Sequence, residues 1–189
     1  MKHKSARREW LESIIIAIVL ALFIRTFIVQ AFKIPSGSMQ PTLMQGDRIL
    51  VNKFIYGARI PFTYFRLTAL RQPKRADVIV FIYPGDTKKD FIKRLVGLPG
   101  EKVEIKEGNI FINGKLTNEM MLMKFYYFNR ADFGEEGRFV EIPADSFYVL
   151  GDNSATSRDS RYWGFVPRQN LVGKAFLIYW PLNRIRIIK

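Results

Sequence analysis

With 189 residues, the chain has room for one domain of ordinary size and an accessory segment; a second large domain would leave neither with an adequate core. Its 30 Lys and Arg against 17 Asp and Glu give a formal charge of +13, which favours partners presenting phosphate, nucleic acid or anionic lipid, without choosing between them. With no cysteine, and with its single histidine, His3, among cations at the N-terminus, the chain excludes disulfides, thiolate chemistry, a Ser-His-Asp triad and a multi-histidine zinc site.

Residues 1–12 read as a basic tail, with Lys2, Lys4, Arg7 and Arg8 beside His3. The twenty residues 13–32, SIIIAIVLALFIRTFIVQAF, would rise roughly 30 Å as a helix, about the thickness of a hydrocarbon core. A buried core helix would keep a polar stripe, whereas Ile14 to Ile24 is apolar on nearly every face. Arg25 and Gln30 are the awkward members, since a charge at the bilayer centre costs roughly 2.5 kcal/mol or more, although an arginine near the outer edge snorkels. The cations before the span predict a cytoplasmic N-terminus and an extracytoplasmic body. A cleavable signal peptide has a shorter apolar run ending in small residues, so Ala31-Phe32-Lys33-Ile34-Pro35 favours a retained signal anchor, with cleavage as the alternative.

From residue 33 to 189 the pattern changes. Short runs rich in Ile, Val, Phe and Tyr recur between turn signals: DRILVNKFIYG, ADVIVFIYPGD, DFIKRLVGLPGE, KVEIKEGNIFINGK, RFVEIPADSFYVLGD and LVGKAFLIYW. Glu107-Gly108-Asn109 and Asn113-Gly114 have the form of hairpin turns. The expected fold is mainly β, an antiparallel sheet or partial barrel behind one N-terminal transmembrane helix. Residues 117–138 mix Met, aromatics and glycines without period two and read as an inserted loop or hairpin.

Three places hold chemistry or its imitation. Ile34-Pro35-Ser36-Gly37-Ser38-Met39-Gln40-Pro41-Thr42-Leu43 is a rigid irregular segment, which a polar interfacial linker would also explain. In DFIKRLVGLPGE, strand alternation puts Lys93 on one face with Phe91, Leu95 and Gly97, and Ile92, Arg94 and Val96 on the other. A lysine among apolar neighbours loses ammonium character and can act as a base; the alternative is a lysine snorkelling from a sheet edge. Residues 151–161, GDNSATSRDSR, make a hydrogen-bonded loop, either a site or a structural turn network.

Taken in order, PSGSMQPTL after an apolar span, GDRILVNKFIYG, KRLVGLPGE and GDNSATSRDSRYWGFVP closely resemble the boxes of bacterial type I signal peptidases, from the anchor to about Trp180. The resemblance implies a single-pass serine endopeptidase of the bacterial inner membrane, with its catalytic domain on the outer side. It would cut signal peptides from secretory preproteins after small residues at −1 and −3 through an acyl-enzyme. By position, Ser38 is the nucleophile and Lys93 the general base, with the Ser36 hydroxyl and Ser38 N–H forming the oxyanion hole. Ser157 would orient Lys93, Asp159 and Arg161 would form a supporting ion pair, and Phe32, Ile34, Met39 and Ile92 would line the substrate pockets. Preproteins and anionic membrane lipid are the implied partners, with no cofactor, metal or nucleic acid. Ser154 and Thr156 depart from a common form of the last box, which has arginine and asparagine there. The resemblance also implies aromatic side chains near the site, Phe32 and some from Phe54 to Phe65, at the membrane interface. Two rivals remain: a tethered binding module without chemistry, and a self-cleaving Ser-Lys repressor, for which no helix-turn-helix is present.

Overall fold

The computed structural model describes residues 6–60, 63 and 65–189; Lys2, His3, Lys4, Phe62 and Tyr64 lie outside the described residues. Helix α1 spans Ala6–Phe23 and widens into a π-helical turn over Ile24–Ile28. Its side chains from Ser13 to Arg25 are all exposed, and Arg7–Ile28, 22 residues, is long and apolar enough to cross a membrane. The sequence predicts a span over 13–32, and here the structure differs. Val29–Lys33 is a strand, β1, because the Arg48–Asn52 strand, β2, offers it a full ladder from Val29↔Asn52 to Lys33↔Arg48. Gln30 is thus a strand residue, and its side-chain oxygen accepts a hydrogen bond from Lys53 Nζ at 3.2 Å.

The body is mainly β and wholly antiparallel. After β2 come β3 (Val78–Ile82), β4 (Asp90–Gly97), β5 (Lys102–Lys106), β6 (Asn109–Ile112), β7 (Lys115–Leu116), β8 (Val140–Glu141) and β9 (Ser146–Leu150). A single helical turn, α2 (Ser160–Trp163), precedes β10 (Val166–Pro167), the long β11 (Leu171–Trp180) and β12 (Arg186–Ile187). The large sheet runs β1-β2-β11-β3-β4-β9-β10, with β12 also on β11, and the small one runs β7-β6-β5-β8. Both predicted hairpin turns are present: Glu107-Gly108 and Asn113-Gly114 all have positive φ, the backbone that tight hairpins require.

The large sheet is covered on both faces, which explains the unbroken apolar run of β3. Val78 and Val80 face one core with Ile34, Met39, Leu43, Ile49 and Ile178; Ile79 and Phe81 face another with Leu95, Phe147 and Val149. A third core under the small sheet takes Val96, Val103, Ile105, Tyr148 and Leu150. Residues 117–138 contain no helix or strand, yet Leu122 and Tyr127 are buried in that third core. This segment is therefore a cover, held by side chains rather than by a ladder.

Candidate active site

β1 delivers the chain directly to the Ser38 turn. Ile34 is clamped by its N–H to the Asp47 carbonyl at 2.8 Å, and Leu43 N–H closes back on the Met39 carbonyl at 2.8 Å. Asn153 holds the turn from the far side, donating from its backbone N–H to the Ser38 carbonyl at 3.1 Å and from Nδ2 to the Gly37 carbonyl at 3.2 Å. Gly151 lets these segments approach. A Cβ there would sit 2.2 Å from Ser157 Oγ and 2.5 Å from the Ser38 carbonyl oxygen.

Lys93 comes from β4, opposite Ile79 of β3, and is 4% exposed. Its Nζ stands 5.9 Å from the Phe91 ring centroid, on the face that strand alternation assigns it. It donates to Ser38 Oγ at 2.6 Å. Burial is the main cause that lowers its pKa, from 10.5 to about 8, while Asp159 and Asp152 oppose this by favouring the ammonium. A hydroxyl and a buried amine at this distance have the parts of a nucleophile and its base. Ser36, exposed at the cleft, points its hydroxyl to Ser38 Oγ at 3.5 Å.

The structure does not make the expected contact from Ser157. Its Oγ is buried beside Gly151 and has no hydrogen-bond partner, while Nζ donates to Ser38. Asp159 and Arg161 do pair, fully buried, with Nε to Oδ1 at 2.8 Å and Nη2 to Oδ2 at 2.8 Å. Asp159 also accepts from Gly151 N–H at 3.0 Å, so the pair braces the segment that carries Asn153 and Ser157. Ser154, one of the two departures, is 3% exposed and accepts from Arg161 Nη1 and the Phe128 N–H. Thr156 is exposed, its N–H bonded to the Asn153 carbonyl.

Two depressions share a ridge of Pro35, Asp90, Phe91 and Ile92. One, about 110 Å³, reaches Ser36, Ser38 and Lys93; the other, about 40 Å³, lies against Phe32, Ile34 and Ile49. Of the predicted pocket residues, Phe32, Ile34 and Ile92 line these depressions. Met39 lines neither, since it is fully buried in the core beneath. The outer edge of β4 from Asp90 to Ile92 carries no neighbouring strand, because β9 pairs only from Arg94 onward. An extended peptide has a vacant ladder there.

Sequence reasoning misses a second buried ion pair, Arg94 with Asp152, both side chains 0% exposed. Nε and Nη2 reach the two carboxylate oxygens at 2.7 and 2.6 Å, and Thr42 Oγ1 donates to the same carboxylate. The pair ties the Ser38 turn, the lysine strand and the Gly151 loop together. A signal for it existed: an arginine between Ile92 and Val96 on an apolar face requires a buried partner.

The body is antiparallel β and pairs a serine with a buried lysine, with no imidazole among the described residues. A family model described as signal peptidase, peptidase S26, matches residues 7–180, and the chain belongs to that family, whose members are serine proteases. It is 41% identical over 194 residues to signal peptidase I of Leptolyngbya laminosa, covering 97% of this chain and 85% of that one. It is 38% identical to signal peptidase I of Pseudomonas aeruginosa over 92% of this chain and 73% of that one. It is 35% identical to signal peptidase I P of Bacillus subtilis subsp. natto over 100% of this chain and 97% of that one.

Proposed function

We propose that this chain is a membrane-anchored endopeptidase that removes N-terminal signal peptides from secreted preproteins, with Ser38 as nucleophile and Lys93 as general base. The 2.6 Å contact between Lys93 Nζ and Ser38 Oγ, in surroundings that favour the neutral amine, carries the reading. Neutral Lys93 takes the Ser38 proton as Oγ attacks the carbonyl carbon of the −1 residue. The resulting oxyanion is met by the Ser38 N–H and the Ser36 hydroxyl, donors aimed at charge that exists only in the tetrahedral state. Lys93 then protonates the departing amine, which leaves as the new N-terminus of the mature protein. A water that gives its proton to Lys93 hydrolyses the ester and frees the signal peptide.

Small residues fit the two depressions: the −1 side chain enters the one that touches the dyad, and the −3 side chain the smaller one beside Phe32, which has room for little more than an alanine-sized group. The orphaned Ser157 hydroxyl supports a positioning role once Lys93 swings from Ser38 during the cycle. The basic N-terminal tail supports an α1 that crosses the inner membrane with the body outside. Anionic lipid suits a chain of charge +13.

The test uses the purified full chain in detergent with a preprotein bearing an A-x-A site. Cleavage after that site by the parental chain, lost in Ser38→Ala and in Lys93→Ala, is the expected result. Processing at the parental rate by either variant would remove the proposal.

A further inference from the structure

Where α1 meets the sheet, a groove of about 420 Å³ is walled by apolar side chains alone: Phe23, Phe27 and Ile28 from the helix end, and Phe54, Ile60 and Leu67 from the body. Its size suits about three benzene-sized groups, at ~150 Å³ each. No described polar side chain lines it, so water gains nothing there. The groove is not isolated from the active-site cleft. Ile28 closes the π-helical turn and Phe32 lies in β1 four positions on, at most ~13 Å away, and Phe32 lines the small depression that neighbours the one at Ser38. Apolar groove, small depression and dyad thus follow one another along a single stretch of chain.

Signal peptides have the same order of chemistry, an apolar run of about 7–15 residues and then small residues before the cut. With −1 and −3 seated as above, a substrate extended alongside β1 arrives at the groove about four residues further upstream, near −7, where the apolar run ends. We propose that this groove seats the C-terminal end of the signal peptide's apolar segment, giving the protein a second contact with its substrate beyond the two small depressions. This rests on the peptidase reading.

Two substrates with one cleavage site separate the outcomes: a preprotein with its whole apolar segment, and a peptide that begins at −5. Leu67→Ser and Phe54→Ser should each lower the ratio of kcat/KM for the long over the short substrate about tenfold, ~1.4 kcal/mol. An unchanged ratio overturns the proposal. A second measurement needs no variant: a benzophenone side chain at −8 of the preprotein, irradiated with the parental chain in phosphatidylcholine vesicles, should form adducts on the segments holding Phe27 and Phe54. Adducts confined to lipid, or a benzophenone-bearing acyl chain that labels Phe54 undiminished by excess preprotein, make the groove a lipid seat and refute the proposal. If the parental chain cuts neither substrate, the peptidase reading itself has failed, which is a different result.

Discussion

The pH dependence of cleavage offers the sharpest check on the dyad. Burial brings Lys93 from 10.5 to about 8. At pH 7 that makes about 9% of the amine neutral instead of about 0.03%, a gain of roughly 300-fold in the reactive form. On the proposed mechanism the neutral amine is the active form, so kcat/KM should rise with pH through about 8, by about tenfold between pH 7 and 9, and then level off. The perturbation is Ile79→Ser: Ile79 pairs with Lys93 across the strands and is fully buried, so a hydroxyl there readmits water to the amine. The midpoint should move up toward 10.5, and each unit of that move should lower the rate at pH 7 about tenfold. The assay follows preprotein cleavage at substrate well below KM from pH 6 to 10, with the melting temperature recorded to show that the variant is folded. A flat profile, or a folded Ile79→Ser with the parental midpoint, would refute the assignment of Lys93 as a base tuned by burial.

Other expectations concern the frame around the dyad. Ser36→Ala should lower kcat about 10²–10³-fold and leave KM within about twofold; a loss confined to KM would contradict an oxyanion role. Arg94→Met strands the Asp152 carboxylate in the core and should destabilise the fold by about 3–5 kcal/mol in urea titration, with Arg94→Met/Asp152→Leu recovering most of it; equal midpoints for the two would show that the pair is not the cause. Gly151→Ala puts a methyl group against Ser157 Oγ and the Ser38 carbonyl, so kcat should drop about 10²-fold or more while circular dichroism stays parental; undiminished turnover would show that the loops accommodate it.

Much of this architecture can be read from residue order because local and tertiary signals agree. The Glu107-Gly108 and Asn113-Gly114 turns demand positive φ, and nothing in the tertiary structure overrides them. Lys93 follows from alternation with Phe91 and Leu95, although a bulge between Leu95 and Gly97 ends the alternation that would put Gly97 on the same face. The end of α1 is less legible, since Val29–Lys33 satisfies an apolar count equally well as helix or strand and only the distant β2 decides. Ser157 and Met39 show a different limit. Position in a motif brings Ser157 near the site without fixing which acceptors Nζ meets, and Met39, next to Ser38 in sequence, turns into the core. Arg94 and Asp152 are 58 residues apart, so their pairing is a property of the sheet and not of either segment.

The vacant stretch of β4 is only about three residues long, and it lies immediately before Lys93. A helical segment keeps its N–H and C=O groups turned along its own axis and has none to offer such an edge. On the proposed mechanism, only an unwound chain can therefore bring a carbonyl to Ser38. The readiness with which a preprotein melts its last helical turn then becomes part of its cleavage rate.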